Sequence, residues 1–129
     1  MKLRTLIESK TSLESLSKGS LPINISWELK KFIKSVNPEL IIFEELKNEK
    51  IIELGEEYVD PVDNLKKSKV KDKNMKKYTE LMDELLDKDI TVSVPQIKIK
   101  DLVDYKNANG KGIEINTGDL ILLDWLIIE

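Results

Sequence analysis

Residues 26–55 read SWELKKFIKSVNPELIIFEELKNEKIIELG and place apolar side chains at helical intervals. Leu29, Ile33, Val36, Leu40, Phe43, Ile51 and Leu54 fall on one side of a 3.6-residue helix, with Lys47 as the one polar break. Lys30, Lys31, Lys34, Glu44, Glu45, Lys47, Asn48 and Glu49 supply the hydrated side. Most of the stability of such a rod comes from packing its apolar face, so the shorter remainder of the chain has to cover it. Pro38 interrupts the pattern, since an interior proline removes one helical hydrogen bond and clashes with the preceding turn. Asn37-Pro38-Glu39 is also a good helix start, with a cap, a first-turn proline and an acid near the positive end. A kinked single helix and two helices broken at Asn37 both fit. The stripe keeps its phase across Pro38, which favours the kink, and Gly55 suits the C-terminal end.

The flanking segments supply the partners. Thr5 and Glu8 have the spacing of a capping box for a helix over 5–17, with Leu6, Leu13 and Leu16 on one stripe, ended by Gly19 and Pro22. Asn24 or Ser26 is the expected cap of the long helix. Residues 56–73 hold few apolar groups, one proline and many lysines, too little to offset ordering entropy, and read as a linker or exposed loop. A third helix is expected over 74–88, where Met75, Tyr78, Leu81, Met82, Leu85 and Leu86 form one face. The period then changes to two: Ile90, Val92 and Val94, then Ile97 and Ile99, alternate with polar residues and predict a strand with Pro95 at a bulge or edge. Leu102, Val103 and Tyr105 suit one helical turn, and Asn109-Gly110 marks a turn. Ile113 and Ile115 predict a second strand, paired with 96–100. Asn116 or Thr117 then caps a final helix over 119–128, apolar on nearly every side.

The totals exclude much chemistry. The chain has 129 residues with 21 basic and 24 acidic side chains, for a net charge of −3, and it has no Cys and no His. The length fits one domain with a core of its own. Disulfides, thiol nucleophiles, imidazole bases and Cys/His zinc sites are ruled out by composition. The opening MKLRTLIESKTS lacks the apolar run of a signal peptide, and 120–128 is far short of a membrane span. The expectation is a soluble, intracellular protein.

Candidate sites are few. Glu44, Glu45, Glu53, Glu56 and Glu57 lie on or just past the hydrated side of the long helix, where a solvated face explains them better than a paired acid and base. Lys66, Lys67, Lys69 and Lys71 open a lysine run with the charge to contact phosphates, but interleaved aromatics that stack bases are missing and Asp72 dilutes it. Asn109-Gly110-Lys111-Gly112 lacks the glycine spacing and the helix of a phosphate loop. Serines 9, 12, 15, 17 and 20 have no His to activate them. The sequence therefore gives no catalytic residues, no metal ligands and no cofactor site. The closing segment is the feature hardest to dismiss, because a helix apolar all round must be buried on most sides. Either it plugs the core, or Ile121, Trp125 and Ile128 meet a second copy or another protein.

The segments MKLRTLIES, SLPINISWELKKFIK, ELMDELLDKDITVSVPQIKIKDL and EINTGDLILLDWLIIE together resemble a family of small uncharacterised proteins from bacteriophages of Gram-positive bacteria. Pro38 and the lysine-rich insert at 66–77 depart from that pattern. The family offers no catalytic residues to transfer. The resemblance implies a phage origin, an accessory or structural role, and a location in the cytoplasm of the infected host or in the virion.

The expected architecture is a helix-dominated α+β single domain. It comprises a helical pair over 5–55, an exposed loop or linker over 56–73, and a helix, small antiparallel β element and C-terminal apolar helix over 74–129. The expected function is non-enzymatic, through protein–protein contact in phage assembly or structure. The alternative is a phage regulator that binds and inhibits a host or defence protein. A nucleic-acid-binding accessory is less favoured, and no membrane partner is expected.

Overall fold

The computed structural model describes residues 1–129 and shows a helix-dominated α+β fold. Two helices lead, α1 (Leu3–Lys18) and α2 (Ile23–Leu54), joined across 19–22. A β-hairpin follows, formed by β1 (Gly55–Val59) and β2 (Lys66–Val70), and a 3₁₀ turn leads into α3 (Met75–Leu86). The rest is a short strand β3 (Ile97–Lys98), one helical turn α4 (Ile99–Val103), α5 (Thr117–Leu122) and a closing strand β4 (Ile127–Ile128).

α2 is one continuous helix with Pro38 inside it, so the two-helix alternative is discarded. At 32 residues it is about 48 Å long. Its inner side buries Leu29, Phe32, Val36, Phe43 and Leu54. Ile33 and Leu40 lie at the margin of the core, half-buried. Phe32, which the predicted stripe omits, is among the most deeply buried of these.

One core runs from Leu3 and Leu6 of α1, through Leu29, Phe32, Val36 and Phe43 of α2, to Ile90, Ile97, Leu102, Leu123 and Leu126. α3 lies on its edge, with Met82, Leu85 and Leu86 half-buried against it. Ser9 and Ser12 are buried on α1, and both hydroxyls are hydrogen-bonded. Ser9 donates to the Thr5 carbonyl, and Ser12 Oγ donates to Asp119 Oδ1 at 2.6 Å, tying α1 to α5.

Several expectations are corrected. The capping box at Thr5 does not form. α1 begins two residues earlier, and its end is held by tertiary backbone bonds, Leu3 N–H to Lys88 O at 2.9 Å and Ile90 N–H to Met1 O at 2.8 Å. α2 likewise starts at Ile23, before the caps expected at Asn24 or Ser26.

Residues 56–73 are not a linker. They form most of an antiparallel hairpin in the register Gly55↔Val70 through Val59↔Lys66. Burial contributes little, since only Val70 in the two strands is buried. Order comes from the backbone ladder and from the connecting loop. Asp60 N–H donates to Leu65 O at 3.0 Å, and Asn64, at φ 59°, donates to Asp60 O at 2.8 Å. Carboxylates accept two further amides, Val62 N–H on Asp60 and Leu65 N–H on Asp63. Gly55 is obligatory at the root of the hairpin: a Cβ there would collide with the backbone carbonyl oxygens of Ile51 and Lys69.

The alternating stretch 90–99 contributes only Ile97–Lys98 to a sheet, and its partner is not 113–115. β3 pairs in parallel with β4, with Ile97↔Ile127 and Lys98↔Ile128. Ile90, Val92 and Val94, and after a one-residue slip at Pro95 Ile97 and Ile99, are buried or half-buried while Thr91, Ser93, Gln96 and Lys98 are exposed, so the alternation reports burial without a ladder. The antiparallel sheet of the fold is the hairpin at 55–70 instead.

The final helix is shorter than expected. Asn116 does cap it, accepting from Asp119 N–H at 2.8 Å, but α5 ends at Leu122. A turn over 123–126 redirects the chain so that Leu126 O accepts from Ile97 N–H at 2.9 Å. Leu123 and Leu126 are completely buried by that turn, while Ile121 and Leu122 stay exposed. The all-round apolar character therefore belongs to a helix, a turn and a strand, of which only the turn buries residues outright, while Leu120, Ile127 and Ile128 are half-buried.

Candidate interaction surface

No group of three or more Asp, Glu, His or Cys side chains stands close enough to hold a metal ion. Glu44, Glu45, Glu53, Glu56 and Glu57 are all exposed. Glu53 meets Lys50 at 2.8 Å, and that hydrogen bond holds its carboxyl below the usual range. No helix is long and apolar enough to cross a membrane.

The lysine run lies on the hairpin, and half of it is already engaged. Lys67 Nζ bridges Asp60 Oδ2 at 2.8 Å and Asp63 Oδ2 at 2.9 Å. Its hydrogen bond to Asp60, then that to Asp63, raises its pKa. The same contacts lower both carboxyls, helped at Asp60 by the Val62 amide and led at Asp63 by the Leu65 amide. Lys69 Nζ lies 5.4 Å from the centre of the Tyr58 ring, within cation–π range. Lys66 is exposed and Lys71 half-buried beyond the strand. Two of the four lysines thus hold the hairpin together, which weakens the case for phosphate contact.

Ile121, Trp125 and Ile128 lie in three different elements. Ile121 is 68% exposed on α5. Trp125 sits in the turn after it, half-buried, with its ring centre 5.5 Å from that of Phe32 and the planes tilted by 46°. The Trp125 Nε1–H is buried without an acceptor. Ile128 is half-buried in β4 opposite Lys98. Trp125 thus joins the C-terminal segment to the inner side of α2, and of the three only Ile121 presents most of its surface outward.

A further set of exposed apolar side chains lies on the outer side of α2, opposite its buried stripe. Trp27 is 65% exposed, Ile41 57% and Ile52 68%, with Ile23 and Ile42 beside them. Trp27, Lys31, Lys34, Pro38, Ile41, Glu45 and further positions follow at alternating steps of four and three residues, ending at Ile52. Each of them is exposed. This is the heptad spacing of a helix contact seam. The signal was present in the sequence, but Lys34 and Glu45 interrupt its apolar members, and the stronger inner stripe on the same helix masks it. Comparison with protein-family models, with curated proteins and with solved structures finds no match.

Proposed function

We propose that this chain works without catalysis, as a protein-interaction component of a bacteriophage. Its role is assembly or structural support, in the cytoplasm of the infected bacterium or in the virion. The observation that carries the reading is the outer side of α2. Trp27, Ile41 and Ile52 stand exposed on the longest rigid element of the chain, facing away from the core. Single exposed apolar residues are ordinary. Trp27, Pro38, Ile41 and Ile52, four of the eight positions along one side of a helix, fit the way helices dock on proteins, and a Trp among them fits where binding energy concentrates. The phage origin rests on the resemblance of the four segments named above.

Complementation tests the reading. The phage carrying this gene is deleted for it, and variants are supplied from a plasmid in the host. The wild-type chain and Lys10→Glu, on an exposed position of α1, should restore progeny yield. Trp27→Asp/Ile41→Asp, folded by circular dichroism, should not. Full restoration by the double variant would overturn the reading, as would absence of the gene from every phage and prophage genome.

A further inference from the structure

The outer seam of α2 has an internal symmetry. Pairing each position with the one whose number brings the sum to 79 joins Trp27 to Ile52, Lys31 to Asn48, Lys34 to Glu45, and Pro38 to Ile41. Every pair is apolar with apolar, cation with anion, or cation with amide. All eight side chains are exposed, and all lie on the same side of one unbroken helix.

Charge is segregated in the same sense. Before residue 40 of α2, Lys30, Lys31 and Lys34 outnumber Glu28 and Glu39, and after it Glu44, Glu45, Glu49 and Glu53 outnumber Lys47 and Lys50. An isologous dimer requires that residue i meet residue j while j meets i. A two-fold axis close to the middle of α2, between residues 39 and 40, satisfies that at all four pairs. Heptad seams in antiparallel register meet in this crosswise manner. Parallel pairing would instead set Lys34 on Lys34 and Glu45 on Glu45, which like-charge repulsion disfavours.

We infer that the outer side of α2 is a self-recognition surface, on which a second copy of this chain packs its own α2 antiparallel about a two-fold axis at residues 39–40. Trp27 of each copy covers Ile52 of the other at the two ends. Pro38 and Ile41 meet twice around the axis, and the Lys34–Glu45 pairs between them fix the register. Lys31 also comes within reach of Glu49 on the second copy, one residue beyond Asn48. The seam from residue 27 to residue 52 is about 38 Å long. Because half of its layers are polar, the dimer is reversible, and charge contributes more to register than to strength. The inference deepens the interaction reading above and rests on the same surface.

Sedimentation equilibrium of the full chain tests it, across a concentration series. The wild type should pass from monomer to dimer as concentration rises. Lys34→Glu places like charges together twice in the dimer and should weaken it by about tenfold or more. Lys34→Glu/Glu45→Lys restores both pairs and should recover wild-type association. The same double variant, labelled and mixed with wild type, should form few mixed dimers, because like charges then meet at both pairs. Ile41→Asp gives a second route to loss of the dimer that does not depend on charge pairing. Each variant is checked for wild-type helicity.

A chain that remains monomeric up to millimolar concentration would overturn the inference. So would a dimer indifferent to Lys34→Glu, or one that the compensating change does not rescue. Failure here, with progeny yield still dependent on Trp27 and Ile41, leaves the interaction reading standing with a different occupant. An intact dimer whose loss leaves progeny yield unchanged overturns the functional reading alone.

Discussion

The Phe32 and Trp125 rings meet with their centres 5.5 Å apart, and this contact clamps the C-terminal turn onto the inner side of α2. Truncating a core aromatic costs about 3–5 kcal/mol. Phe32 is buried outright, so Phe32→Ala should cost that much. Trp125 is only half-buried, and its indole N–H lacks an acceptor, so Trp125→Ala should fall at or below the lower end. The double variant should lose less than the sum, by about 0.5–1.5 kcal/mol, because each single change already removes the shared ring contact. Denaturant unfolding of the four chains measures this. Strict additivity would show that the rings merely sit near each other.

Gly55 separates α2 from the hairpin, and the close approach of Ile51 O and Lys69 O leaves no room for a methyl group. Both neighbours are backbone, so relief requires β2 to move away from the end of α2. Gly55→Ala should destabilise the chain by about 1–3 kcal/mol, the usual range for forced overpacking. The loss should appear first as faster amide exchange in 56–70, while α1 stays protected. Unchanged exchange across the hairpin would contradict the packing described at its root.

The hairpin loop should respond to pH only at the extremes. Asp60 and Asp63 have lowered pKa values, so their contribution is complete above the ordinary aspartate value and is lost as pH falls through the lowered ones. Lys67 has a raised pKa, so its contribution is complete below the ordinary lysine value and is lost as pH rises through the raised one. Between about pH 4 and pH 10 the loop should be indifferent to pH. Protection factors of the Val62 and Leu65 amides, which donate to the two carboxylates, report it directly. They should be flat through the neutral range and fall in strong acid. A fall near neutrality would show that other groups order the loop.

Those elements whose order comes from burial were legible in the sequence. The inner stripe of α2 through Leu29, Val36 and Phe43, the face of α3 and the Asn116 cap all follow from spacing and side-chain type. The hairpin was not, because Lys66, Lys67 and Lys69 carry no apolar alternation. Its order lies in a backbone ladder and in carboxylate contacts that composition does not reveal. β3 and β4 depend on a partner far along the chain, so local alternation at 90–99 indicates which side is buried but not what pairs with it. The C-terminal segment misled for a related reason: a turn buries Leu123 and Leu126 and a strand half-buries Ile127, in a pattern that a single helix would also explain. At the candidate surface, Trp27 and Ile41 were visible only as exceptions on a side of α2 that its lysines and glutamates mark as hydrated.

The central claim is that α2 divides its labour, with one side holding the fold and the opposite side making contacts. Site-specific photo-crosslinking in cells, from a photoreactive residue at position 41, tests this most directly. Position 10 on α1 serves as the control, since it too is exposed and carries no apolar line. The expected result is a discrete adduct from position 41 that position 10 does not give, its mass distinguishing a second copy from another protein, with thermal unfolding of the substituted chain unchanged. No adduct from position 41, or the same adduct from both positions, would contradict the claim.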